Sequence, residues 1–331
     1  FFGYILQTPI RNRIVHSVGN TVPRPRLRIV RSLSRKSGFP YHSPSTRTFR
    51  LAADSMTDYY PQRIVCMTEE TTEMLYLLGE QDRIVGISGF TVRPPEARRE
   101  KPRVSAFTSA KIERILELEP DLVLGFSDLQ AEIAAELIRR GVNVHIFNQR
   151  SVDEILQMIV MLGAMVGRQA DAESWVAGIS SKLDDLRSRA ARMTVKPRVY
   201  FEEWYDPVIS GIRWVADLIE IAGGEDCFPE LSRQALGKDR IIADPLSVAE
   251  RNPDIVIGSW CGRKFRPEHV YQRPGWENVN AVKRQQVFEI KSANILQPGP
   301  AALTDGLEQL HAIIVGWQRE ASVSGTRSPA R

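Results

Sequence analysis

The 331-residue chain is 43% hydrophobic and 25% charged, the balance of an ordinary globular protein, and its length calls for two lobes with separate cores. Its net charge of +4 comes from the head: residues 1–55 hold ten basic residues and one acid, leaving 34 basic against 39 acidic residues in 56–331. That mildly acidic body excludes a nucleic-acid surface, and three scattered cysteines exclude a disulfide scaffold.

The head is rich in Arg, Ser and Pro, which predicts a disordered leader over residues 1–58, or a reading frame extended upstream of Met56. No stretch carries the ~20 apolar residues needed to span a membrane, and no secretory signal is in order. The sequence as it stands therefore reads as cytoplasmic, with a periplasmic location as the alternative if the true N-terminus differs.

"RIVCMT" (63–68), "EETTEMLYLLG" (69–79) and "DRIVGIS" (82–88) read as strand, helix and strand, the order of a parallel βαβ unit. "PDLVLGF" (120–126) is a buried strand, "LQAEIAAELIRRG" (129–141) a helix stopped by Gly141, and "VNVHIF" (142–147) a further strand. These place an α/β lobe over residues 59–150.

Ser151 and Glu154 form a capping box, opening a helical linker over 151–196. Its second helix, "AESWVAGISSKLDDLRSRAARM" (172–193), has no proline and is roughly 30 Å long, enough to join two lobes as a strut.

A second α/β cycle fills residues 197–320: strand "RVYFEEW", helix "IRWVADLIEIAGG", short helix and strand "PLSVAERNPDIVIGSW", strand "QQVFEI" and closing helix "PAALTDGLEQLHAIIVGW". Residues 321–331 read as a disordered tail. "EPDLVLGFS" (119–127) repeats as "NPDIVIGSW" (252–260), and "LLGEQD" (77–82) as "IAGGED" (221–226). The shared order supports two lobes built alike.

Ligands of open parallel sheets gather past the carboxyl ends of the strands. Those positions hold Phe90, Phe126, Ser127, Glu203, Trp204, Tyr205 and Trp260, an aromatic set suited to a bulky, partly apolar ligand. Glu202 and Glu203 are adjacent on a strand and face opposite ways, so they form no paired acid and base. Arg213, near a helix start, is a candidate for meeting an anionic group. Catalytic residues and metal ligands are expected to be absent: there is no Walker loop, HExxH or GxSxG, and the five histidines lack metal spacing.

Taken together, "RIVCMTEETTEMLYLLGEQDRIVGIS", "KIERILELEPDLVLGF", "VYFEEWYDPVISGIRWVADLIEIAGGED", "AERNPDIVIGSW" and "AVKRQQVFEI" resemble the helical-backbone substrate-binding proteins of ABC importers for cobalamin and ferric siderophores. The likeness runs from Pro61 to Trp317 and is nearest to the cobalamin-binding branch. It implies a class III periplasmic-binding-protein-like fold: two Rossmann-like α/β lobes with central parallel sheets, joined by a long helix. It also implies a non-enzymatic, monomeric protein that needs no cofactor and clasps a corrinoid such as cobalamin, or another metal chelate, between aromatic walls.

By position, Phe90, Phe107 and Phe126 match first-lobe aromatics of the pocket, and Glu203 stands where a second-lobe aromatic is expected. Glu113 matches one of two carboxylates that dock on a permease. The second is replaced in "ADPLSVAE", where Asp244 or Glu250 substitutes imperfectly. Two alternatives stand beside this reading: a ferric-siderophore or haem-type chelate binder, with Arg213 and Arg263 converging on the cleft, and a two-lobed chelatase- or transferase-like enzyme.

Overall fold

In a computed structural model, which describes residues 59–325, two sheets follow one another along the chain. The expectations for the leader and for residues 326–331 lie outside the described residues. The first sheet takes strands β1 (Ile64–Cys66), β2 (Ile84–Ser88), β3 (Arg103–Ala106), β4 (Ser109–Ala110), β5 (Leu122–Phe126) and β6 (Val144–Phe147) in the order β4-β3-β2-β1-β5-β6. All neighbours run parallel except the β3–β4 pair. The second takes β7 (Arg198–Tyr205), β8 (Val208–Ser210), β9 (Glu225–Asp226), β10 (Ile255–Gly258) and β11 (Val287–Glu289) in the order β11-β10-β7-β8, with β9 beside the start of β7.

Both sheets are wound from their first strand outward, so each has a crevice beside that strand's carboxyl end. Strands buried on both faces read as continuous aliphatic runs, as β1, β5 and β10 do. The longer helices are α1 (Glu69–Leu77), α2 (Ala131–Arg139), α3 (Val152–Met165), α4 (Gln169–Ala190), α5 (Arg213–Ala222) and α6 (Leu307–Gly325). The Ser151–Glu154 capping box opens α3. The strut predicted at 172–193 is α4, which buries Leu183 and Leu186 and leaves Trp175 and Ile179 half-buried. The last helix continues to Gly325, past the expected boundary at 320, with Ala321 still packed against the core behind Ile314 and Trp317.

The sequence echo has a backbone counterpart. Glu119 and Asn252, the residues before each Pro-Asp pair, both adopt φ of 46°. Each following aspartate then turns back to the central strand of its own sheet: Asp121 accepts from the Gln62 and Arg63 amides at 2.6 and 3.0 Å, and Asp254 from the Arg198 amide at 3.0 Å. Asparagine tolerates this left-handed backbone, and an exposed glutamate does so only at a cost. Glu119→Asn is therefore expected to stabilise the protein by about 1 kcal/mol, read as a higher denaturation midpoint with an unchanged m-value.

Candidate ligand-binding site

The first-lobe wall starts at the N-terminus of α1, where "EETTE" is buried against the other lobe. Ser88 donates to Glu69 at 2.9 Å, Thr68 donates to Glu70 at 2.6 Å, and Arg93 donates to Glu73 at 2.9 Å. Burial raises the pKa of all three carboxyls, and the adjoining Glu69 adds to the effect on Glu70, which is pushed up to about 8. The second lobe closes on this wall through residues 294–305. Ala301 donates its amide to Glu73 at 3.1 Å, Arg93 reaches Asp305 at 2.7 Å, and the Gln149 side-chain nitrogen donates to the Pro298 carbonyl at 2.9 Å.

Between the lobes lies a cavity of about 320 Å³. Glu69, Phe90, Arg93 and Arg98 line it from the first lobe, with Cys261 and Ser292 from the second. This volume is at the small end of ligand pockets.

Of the residues the sequence singled out, Phe90 lines the cavity and is 43% exposed. Phe126 and Phe107 meet with ring centroids 6.3 Å apart, and the Arg150 guanidinium lies 4.8 Å above the Phe126 ring. Ser127 is buried, its hydroxyl accepting from the Leu129 amide to shape the turn after β5. In the second lobe Tyr205 stacks on Trp260 at 4.5 Å and sits 5.8 Å from Trp204, with Arg263 lying over both Tyr205 and Trp204. Glu203 is half-buried and paired with the buried Arg240.

Arg213 is placed elsewhere. It lines a groove with the start of α3 and the end of α4, beside Asp153 and Asp217, because α5 turns its first residue toward the helical linker. It therefore does not converge with Arg263 on the cleft. Glu113 and Asp244 are exposed, Glu113 bonded to Arg140 and Asp244 capping the turn at Leu246.

Sequence reasoning missed the group that anchors Trp260. Glu202 is fully buried, held by Arg273 at 2.6 and 3.1 Å, by the Tyr200 hydroxyl at 3.1 Å and by the Trp260 indole at 3.2 Å. The Trp260 ring is thus anchored from behind. Arg273 lies 71 residues away, and no local pattern announces that pairing. Arg150, over the Phe126 ring, was also missed; its place three residues past β6 was the available signal. Among the described residues no three His, Cys, Asp or Glu side chains converge as a metal cage.

The model of the periplasmic binding protein family matches residues 64–293. The chain is 25% identical to the uncharacterized ABC transporter substrate-binding lipoprotein YvrC of Bacillus subtilis, over 76% of this chain and 79% of that one. It is 23% identical to the vitamin B12-binding protein of Vibrio parahaemolyticus, over 75% and 87% of the two chains. Among solved structures, the periplasmic heme-binding protein RhuT from Roseiflexus sp. RS-1 superposes with a TM-score of 0.65 at 24% identity, covering 76% of this chain and 99% of that one.

Two outcomes test this geometry. Glu202→Ala strands a buried arginine and is expected to destabilise the fold by about 3–5 kcal/mol, whereas Glu202→Leu combined with Arg273→Leu recovers most of the loss in a denaturant titration. Glu70 keeps its proton in the folded chain at pH values where the unfolded chain has lost it. Its contribution is complete below about pH 4, the unfolded range, and is lost as pH rises toward 8. Denaturation midpoints measured from pH 5 to 8 should fall, and Glu70→Gln should flatten that slope.

Proposed function

The chain belongs to the periplasmic binding protein family, and we propose that it is a non-enzymatic solute-binding protein that clasps a corrinoid between its lobes. The Tyr205–Trp260 stack with Trp204 beside it, locked from behind by Glu202, is the observation that carries this reading. Rigid aromatic faces hold a broad, partly apolar macrocycle with little loss of side-chain entropy.

Charge favours the same choice. Arg213 lies in a separate groove, so the convergence of Arg213 with Arg263 that a polyanionic siderophore calls for is not met. A curated relative named for vitamin B12 supports the corrinoid reading. Glu113 and Asp244, exposed one per lobe, are the carboxylates proposed to meet an ABC permease. A haem-type chelate is the second reading, favoured by the fold shared with RhuT.

Titration with cyanocobalamin should give saturable binding in the micromolar range, followed by calorimetry or the corrin absorbance. Trp260→Ala is expected to weaken it by at least about tenfold while the far-ultraviolet circular dichroism is kept. Absence of binding at high micromolar cyanocobalamin would remove the corrinoid reading.

A further inference from the structure

The two arginines that line the inter-lobe cavity stand in different states. Arg93 is paired: it donates to Glu73 at 2.9 Å and reaches Asp305 at 2.7 Å. Arg98, on the short helix Pro95–Glu100, lines the same cavity and is exposed. Among the described residues it makes no ion pair, and the hydrogen bond it does make goes to a neutral group, the Thr91 carbonyl at 3.4 Å. A guanidinium has five N–H donors, so most of the Arg98 fork is left for another partner.

No other residue of the cavity wall answers that charge. Glu73 is matched by Arg93, and Glu69 accepts from the Ser88 hydroxyl at 2.9 Å while burial favours its protonated form. From the second lobe the polar lining is Cys261, Ser292 and Gln297, none of them a carboxylate. The cavity therefore carries an uncompensated positive charge at Arg98, beside two apolar side chains left in the open, Phe90 and Val92. That setting favours one anionic group attached to apolar surface, with Ser292 and Gln297 as further donors. Because Arg98 is exposed with the lobes as they stand, a ligand meets it without any change in their spacing.

Resting on the corrinoid reading, we infer that Arg98 is a specificity-determining residue of the cleft that binds the phosphodiester of the corrinoid's nucleotide loop. The count of charges decides between ligands. A cobalamin bears one anionic group on its periphery, the phosphodiester, and the fork of one unpaired guanidinium spans two of its oxygens. A haem brings two carboxylates, of which Arg98 answers one. The cavity volume of about 320 Å³ also suits one appendage of a corrinoid rather than its ring.

The test sets cyanocobalamin against cobinamide, which has the corrin ring and lacks the phosphodiester and nucleotide, and against cobinamide phosphate, which keeps a phosphate and lacks the base. Each is titrated by calorimetry into the unaltered protein and into Arg98→Gln. The substitution should weaken cyanocobalamin and cobinamide phosphate at least about tenfold and leave cobinamide within about twofold. The kept cobinamide binding shows that the variant is folded. Raised salt should narrow the gap between the two proteins for cyanocobalamin. An equal loss on all three ligands, or no loss on any, overturns this inference and leaves the corrinoid reading standing. A loss on cyanocobalamin that cobinamide phosphate does not share overturns the phosphate as the partner of Arg98. Failure of the unaltered protein to bind any of the three, whether or not it binds haemin, overturns the corrinoid reading and this inference with it.

Discussion

The Glu73 carboxylate is the joint on which the two lobes are set. One oxygen accepts from Arg93 in the first lobe at 2.9 Å, and the other accepts the Ala301 amide of the second at 3.1 Å. Arg93 continues across to Asp305 at 2.7 Å. A carboxylate buried here is costly unless every oxygen is answered, so the spacing of the lobes is tightly specified. Gly299 beside it has no room for a side chain: a Cβ would come within 2.4 Å of the Glu70 Cβ. The cleft geometry follows from this closure, since the cavity walls are the residues on either side of it.

A second buried carboxylate does for the aromatic wall what Glu73 does for the lobes. Glu202 draws Arg273, Tyr200 and Trp260 to one point inside the second lobe. Trp260, itself only 4% exposed, is thereby held rigidly in the second lobe. Adjacent glutamates on β7 have divided the work: Glu202 anchors the interior, and Glu203 pairs with Arg240 nearer the cleft.

The two-lobed α/β architecture was legible because its signals are local. Aliphatic runs marked β1, β5 and β10, Ser151 and Glu154 marked the start of α3, and the twin Pro-Asp segments turned out to share a left-handed residue and an aspartate that caps the central strand. The short strands β3, β4, β8 and β9 were not visible, since two to four residues carry too little periodicity. At the cavity, the strand-end rule pointed to Phe90. What stayed hidden was pairing at a distance: Arg273 with Glu202, Asp305 with Arg93, Pro298 with Gln149. Arg213 misled for the same reason, because a helix start near a strand end says nothing about which neighbour its side chain meets.

The cluster at the start of α1 alters the meaning of the charge count. Residues 56–331 carry five more acidic than basic side chains by formal tally. That tally assigns a full negative charge to Glu70, whose carboxyl is pushed up to about 8, and burial moves Glu69 and Glu73 in the same direction. At neutral pH the folded body is therefore closer to electroneutral than its composition states. Unfolding would release protons to the buffer, so the apparent enthalpy of unfolding near neutrality would shift with the ionisation enthalpy of the buffer chosen.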